Sequence, residues 1–158
     1  MCYGSLIVTN SLRSGRRMRY YEASSIIASN PVAVWAVLSD GASWTAWDSG
    51  VDSVEGRIEL GGTIKIRSQV APGRTFPVKV TTFDPPTRLQ FSGGMPLGLF
   101  RGVRTYNVSP DPDGATTFEM REEYTGPLLP LIWRSMPDLS ASFERFARGL
   151  KQRVESAG

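Results

Sequence analysis

The sequence contains no histidine and only one cysteine, Cys2, among its 158 residues. Without histidine the chain cannot form a Ser-His-Asp or Cys-His catalytic site, because the usual general base is missing. A zinc site built from His and Cys side chains of one chain is excluded as well, and we expect no metal and no cofactor. A single cysteine also excludes an intrachain disulfide, so packing alone must hold the fold together.

Lysines and long apolar runs are also scarce. The three lysines are Lys65, Lys79 and Lys151, so any acid–base chemistry would depend on these lysines, carboxylates or tyrosines. No apolar run approaches the length of about 18 residues that a membrane span requires. The first 19 residues lack the apolar core of a secretory signal. We therefore expect a cytoplasmic protein without a membrane span.

The formal net charge of +3 comes from the first residues of the chain. Four arginines lie close together there: Arg13, Arg16, Arg17 and Arg19. The residues after position 19 carry 14 basic and 15 acidic side chains, so we predict a nearly neutral domain and no nucleic-acid partner. Residues 1–19 are interpreted as a basic, disordered extension, with Met18 as a possible natural start. The alternative is a basic arm that contacts phosphate or anionic lipid.

What the sequence does contain is the pattern of one folded domain over residues 20–158. Hydrophobic residues make up 41% and charged residues 21% of the chain, values typical of globular proteins. Residues 20–28 form the first predicted strand, and Asn30-Pro31 is typical of a helix start. A second short helix is predicted over residues 43–47. About six strands, each bounded by Gly or Pro turns, follow between residues 51 and 124.

The C-terminal segment changes to helical periodicity. An apolar stripe predicts a long amphipathic helix over residues 138–156; its members are Leu139, Phe143, Phe146, Leu150 and Val154. Short turns between strands favour an antiparallel sheet, and the alternation within strands indicates that one face is buried. We therefore predict an α+β fold in which about seven antiparallel strands cover the long helix.

The order of these segments resembles the SRPBCC superfamily, also called START or Bet v 1-like, and within it the polyketide cyclase/dehydrase-like group. The resemblance covers roughly residues 20–155. It depends on Ile27-Ala-Ser-Asn-Pro-Val-Ala-Val-Trp35 with Leu38 and Asp40, Trp44-x-x-Trp47, Phe76-Pro-Val, Gly102-Val-Arg-Thr-Tyr, Phe118–Gly126-Pro-Leu and Phe146-Ala-Arg-Gly-Leu-Lys151. It implies a helix-grip fold, in which a curved sheet wraps around the C-terminal helix and encloses a cavity for a hydrophobic or amphipathic ligand. Members differ in function, so the resemblance implies a fold more directly than an activity.

The last predicted strand contains a carboxylate on its apolar face. Phe118, Met120, Glu122 and Tyr124 share one face by the period of two. Glu122 would then point into the concave interior, where Arg104 of the preceding strand could reach it. We consider two roles for Glu122, a structural ion pair and a polar contact or acid–base group for a ligand. Glu122 is the candidate for catalysis, but no residue is assigned as catalytic.

The aromatic and methionine side chains also have two interpretations, core packing and cavity lining. The predicted ligand-binding set is Trp44, Trp47, Phe76, Phe91, Phe100, Tyr106, Met120, Glu122, Trp133, Met136 and Phe143. Residues 93–100 and 128–136, which contain Phe100 and Trp133, are predicted as lids over the mouth of the pocket.

Three functions compete at this point. The first is a module, monomeric or weakly dimeric, that binds a small hydrophobic or amphipathic molecule, which would be lipid-, polyketide- or aromatic-like. The second is a cyclase- or dehydratase-type enzyme for a polyketide-like substrate, with carboxylate or tyrosine acid–base chemistry. The third is an interaction protein whose basic extension or lid contacts a partner.

Overall fold

The computed structural model describes residues 18–157. The elements in chain order are β1 (Arg19–Ile27), α1 (Pro31–Leu38), a 3-10 helix (Gly41–Ala46), β2 (Val51–Glu55), β3 (Thr63–Ser68), β4 (Phe76–Asp84), β5 (Arg88–Gly94), a short 3-10 turn (Pro96–Gly98), β6 (Arg101–Pro110), β7 (Thr116–Thr125), α2 (Leu129–Ser135) and α3 (Ser140–Ala157). The predicted extension lies outside the described residues, except for Met18 and Arg19, and Arg19 already belongs to β1.

The seven strands form one curled antiparallel sheet in the order β1-β7-β6-β5-β4-β3-β2. The first and last strands in sequence are neighbours in this sheet, and each remaining pair is joined along the chain. Alternate side chains of β5, β6 and β7 are buried, as expected when one face of a sheet packs against a helix. The sheet curls around α3, which confirms the predicted α+β helix-grip architecture.

The α1 helix begins where the sequence predicts. The Asn30 side chain accepts a hydrogen bond of 2.9 Å from the Ala33 backbone N–H, and Pro31 occupies the first turn. The second short helix begins at Gly41 and is a 3-10 helix, where an N-terminus at Ser43 was predicted. Its Trp44 is buried, and the indole Nε1 donates to the Leu38 carbonyl at 3.0 Å. This hydrogen bond fixes the indole beneath the sheet.

The α3 helix begins two residues later than predicted. The Asp138 side chain accepts a hydrogen bond from the Ser140 N–H at 2.9 Å, so Asp138 lies before the first helical turn. The predicted stripe is otherwise correct: Phe143, Phe146, Leu150 and Val154 are buried, and Leu139 packs at the edge of the core. The stripe fixes which face of α3 meets the sheet.

Two segments differ from their predicted form. The strand predicted over residues 51–58 ends at Glu55, because Gly56 has a φ of +96° that breaks the extended conformation. The apolar segment 128–136, for which no secondary structure is predicted, contains the helix α2. Within residues 18–157 no helix is both long and apolar enough to cross a membrane.

Candidate functional site

A cavity of about 560 Å³ lies between the concave face of the sheet and helix α3. Its deep wall is mostly apolar, and its main members are Ile66, Val78, Phe91, Met120, Phe143 and Phe146. The strands supply the wall because alternate residues of β3 to β7 point inward, and α3 supplies the opposite side with its buried stripe. Such a volume and lining are typical of a site for a small organic molecule.

The mouth of the cavity is formed by three segments that are far apart in the sequence. The connection between β3 and β4 contributes Arg74, the connection between β5 and β6 contributes Met95, and the junction of α2 with α3 contributes Pro137. Phe76, at the start of β4, is also exposed at this edge. The cavity therefore opens to solvent at one end of the sheet.

One charged pair lies in the apolar wall. Arg104 of β6 and Glu122 of β7 are directly opposite in the strand register. The Arg104 Nε and Nη2 atoms donate hydrogen bonds of 2.8 and 2.6 Å to the same oxygen, Oε2 of Glu122. Both residues line the cavity, and their side chains are 27% and 17% exposed. This is the predicted contact of Glu122 with Arg104.

Neighbouring groups define the electrostatics of the pair. Burial alone would lower the pKa of Arg104, but the Glu122 charge, with help from Tyr106 and Tyr124, raises it above its usual value. The guanidinium therefore stays charged. Burial, followed by the charge of Glu122, raises the pKa of Tyr124 well above 10.0, so this phenol remains protonated. A protonated phenol and an ion pair thus lie together in the wall.

Gly102 and Phe143 hold the ion pair from two sides. A Cβ atom on Gly102 would lie 2.7 Å from Oε1 of Glu122, so the absence of a side chain at Gly102 allows the carboxylate its observed position. The Phe143 ring of α3 covers the guanidinium, with 4.8 Å between the Arg104 Cζ atom and the ring centroid. The pair is therefore fixed by the sheet and by the helix together.

A comparison with protein families identifies the family of this chain. Residues 18–155 match the family described as polyketide cyclase / dehydrase and lipid transport. The chain belongs to this family. No curated protein matches the sequence.

Solved structures that resemble this polyketide cyclase/dehydrase and lipid transport family member share its fold at low identity. A norcoclaurine synthase mutant from Thalictrum flavum, in complex with a transition-state analogue, has a TM-score of 0.69 and 14% identity over 92% of this chain and 99% of that one. A Streptomyces aromatase/cyclase has a TM-score of 0.68 and 14% identity, over 88% and 94%. A Rhodobacter sphaeroides protein has a TM-score of 0.69 and 20% identity, over 98% and 100%.

Most of the predicted ligand-binding residues of this family member lie in the cavity wall. They are Trp44, Phe76, Phe91, Phe100, Met120, Glu122, Met136 and Phe143. The remaining three, Trp47, Tyr106 and Trp133, lie outside the wall and pack against other rings. The structure therefore brings together residues from β4, β5, β7, the 3-10 helix at residue 41, the segment before β6, the junction of α2 with α3, and α3.

Each of the three rings outside the wall has its own packing partners. Trp47 packs edge-to-face on Phe146, with ring centroids 5.1 Å apart. Tyr106 lies behind the wall in contact with Trp44 and Phe91, fully buried, and its hydroxyl makes no hydrogen bond with the described residues. Trp133 of α2 stacks on Tyr21 of β1 and packs edge-to-face on the wall residue Tyr124. These three side chains support the wall from behind.

The predicted set omitted three residues that shape the polar part of the wall. Arg104 was expected only as a partner of Glu122, and Tyr124 only as a member of the same strand face. Gly102 was not predicted at all, although a glycine within a strand and beside an inward carboxylate indicates close approach of another group. That pattern, together with the alternation of β6, predicts that Gly102 lies in the cavity wall.

Proposed function

We propose that this protein binds a small hydrophobic or amphipathic molecule, of lipid-, polyketide- or aromatic-like character, in the cavity between the sheet and α3. The observation that carries the proposal is an apolar cavity of about 560 Å³ with one charged pair in its wall. Apolar side chains would bind the body of the ligand, and Arg104 and Glu122 would bind its polar group. Membership of the polyketide cyclase/dehydrase and lipid transport family supports a role of this kind.

Two neighbouring positions on α3 provide a matched test. Ser142 lines the cavity, whereas Ala141 next to it is exposed on the outer side of the helix. Ser142→Phe should fill part of the cavity, and Ala141→Phe should add the same ring to the outer surface. The probe is the neutral apolar dye N-phenyl-1-naphthylamine, titrated by fluorescence into each protein.

We expect the wild-type protein and Ala141→Phe to bind one dye molecule with similar affinity. Ser142→Phe should bind at least about tenfold more weakly, because the added ring occupies the site. Far-ultraviolet circular dichroism would verify that both variants are folded. The proposal fails if the wild-type protein binds no dye, or if the two variants bind it equally well.

A second candidate function, favoured by one observation, is acid–base catalysis of the cyclase or dehydratase type. The Oε1 atom of Glu122 takes no part in the hydrogen bonds to Arg104, which reach Oε2, and it lies against Gly102 in the cavity wall near Tyr124. That oxygen would accept a proton from a bound substrate, and the protonated Tyr124 would stabilise the resulting negative charge by hydrogen bonding.

Glu122→Gln tests this second candidate against Glu123→Gln, whose side chain pairs with Arg121 away from the cavity. With a polyketide-like substrate, Glu122→Gln should lower turnover by at least about 100-fold, and Glu123→Gln should leave it unchanged. Equal turnover in the two variants would remove Glu122 from the reaction.

A further inference from the structure

The ion pair in the cavity wall uses only part of its hydrogen-bonding capacity. Both donors that Arg104 gives to Glu122, on Nε and Nη2, reach the single oxygen Oε2. The Nη1 atom of Arg104 and the Oε1 atom of Glu122 take no part in these two hydrogen bonds, and the phenols of Tyr106 and Tyr124 lie close to the pair. A guanidinium and a carboxylate both have further donors and acceptors beyond these. The pair therefore keeps further donors on Arg104 and further acceptor capacity on Glu122 beyond the two hydrogen bonds that join them.

The two charged side chains are reached from the cavity. Arg104 and Glu122 lie on the concave face of the sheet, yet parts of both side chains are exposed, because both line the cavity. The Oε1 atom lies against Gly102, which is also a wall residue. The Phe143 ring covers one face of the guanidinium. A bound molecule would therefore contact both charged side chains.

The deep part of the cavity has no net charge. Among the described wall residues the charged ones are Arg74, Arg104 and Glu122, and Arg74 is exposed at the mouth, where solvent screens it. In the deep wall the charges of Arg104 and Glu122 cancel. An anionic ligand group would lie close to the Glu122 carboxylate, and a cationic group close to the guanidinium. Like charges in contact are costly where water is scarce.

We propose that the cavity selects neutral amphipathic molecules whose polar end carries a hydrogen-bond acceptor beside a donor, and that it discriminates against carboxylate anions and ammonium cations with the same apolar body. A carboxamide or a hydroxy ketone has the required pair of groups. The acceptor would receive a hydrogen bond from the Arg104 guanidinium, and the donor would give one to the Glu122 carboxylate. This inference rests on the proposed binding function and names the ligand class for the same site.

Three probes with one apolar chain test the selectivity: octanamide, octanoate and octylammonium. Each would displace N-phenyl-1-naphthylamine from the wild-type protein at neutral pH. We expect octanamide to bind at least about tenfold more tightly than either ion. The inference is overturned if either ion binds as tightly as octanamide or more tightly, or if none of the three probes displaces the dye. In both cases the wild-type protein still binds the dye, so the proposed function is not affected. A protein that binds no dye fails the proposed function itself.

Two single substitutions reverse the selectivity in opposite directions. Glu122→Gln leaves Arg104 unpaired, so the affinity ratio of octanoate to octanamide should rise at least about tenfold. Arg104→Gln leaves Glu122 unpaired, so the ratio of octylammonium to octanamide should rise by a similar factor. The matched control is Glu123→Gln, which removes one negative charge from the same strand outside the cavity.

These ratios compare probes on one protein, so a general loss of affinity does not imitate them. If one variant fails to fold, the other variant and the wild-type protein still test whether the ion pair selects neutral ligands. Unchanged ratios in a folded variant overturn the assignment of Arg104 and Glu122 as the groups that select charge. The assignment is also overturned if the affinity ratio changes equally in Glu123→Gln, because an equal change would indicate a long-range effect of net charge.

Discussion

Gly149 lies where helix α3 passes over the backbone that follows the 3-10 helix at residue 41. A Cβ atom on Gly149 would lie 2.1 Å from the Asp48 carbonyl oxygen and 2.7 Å from its carbonyl carbon. Since real Cβ contacts are not shorter than 3.0 Å, α3 would have to retreat by at least about 0.9 Å in Gly149→Ala. The loop cannot easily give way, because Arg145 binds Asp48 and Ser49 donates to the Trp44 carbonyl.

Two opposing contributions determine the sign of the stability change. In an exposed helix, alanine in place of glycine stabilises by about 1 kcal/mol, because the glycine backbone loses more entropy on folding. Overpacking of a well-packed interior costs about 1–3 kcal/mol and more where backbone must move. We therefore expect Gly149→Ala to lower the free energy of unfolding by about 1–2 kcal/mol, which corresponds to a fall in Tm of about 2–8 °C.

The assay is urea unfolding followed by tryptophan fluorescence, with thermal unfolding as a second measurement. The control is Arg148→Ala, at an exposed position beside Gly149, for which we expect a change within about 0.5 kcal/mol. A Gly149→Ala protein that is as stable as the wild type, or more stable, would refute the close approach of α3 to Asp48. In that case the higher helix propensity of alanine would determine the stability change, and the close contact with Asp48 would be absent.

Two further predictions concern the polar part of the cavity wall. Gly102→Ala would bring a methyl group within 2.7 Å of Glu122 Oε1, so the carboxylate must move and the affinity for N-phenyl-1-naphthylamine should fall by about three- to tenfold; an unchanged affinity would contradict this. Burial raises the pKa values of Tyr106 and Tyr124 above 10.0 in the folded protein, so their stabilising contribution is present below pH 10.0 and is lost as the pH rises further. An ultraviolet titration should show these phenols ionising only as the protein unfolds, and complete ionisation of all tyrosines near pH 10 in the folded state would be the opposite result.

The strand faces could be predicted from the sequence because side chains alternate along a strand. The period of two places Glu122 on the inner face of β7, and the same argument places Arg104 on the inner face of β6, where the two form hydrogen bonds. Local chemistry also predicts the start of α1 at Asn30-Pro31. These predictions require only neighbours in the sequence, and they are correct for that reason.

The depth of a side chain behind a given face could not be predicted in the same way. Tyr106 and Phe91 both point inward, but Phe91 reaches the cavity and Tyr106 is covered by neighbouring rings. Trp133 was expected at the mouth because its segment is apolar, yet α2 turns it towards β1. Whether a ring fills the core or borders a space depends on how distant elements pack, and single-strand periodicity contains no such information.

The mouth of the cavity has a consequence for the time course of binding. Its edge includes Met95 and Pro137, neither of which takes part in the hydrogen bonds between Arg104 and Glu122. A group that a ligand passes on its way in and out affects the barrier more than the bound state. Substitutions at this edge should therefore change association and dissociation rates in parallel and leave the equilibrium constant nearly the same. We therefore expect residence time to depend on this edge and chemical preference to depend on the ion pair.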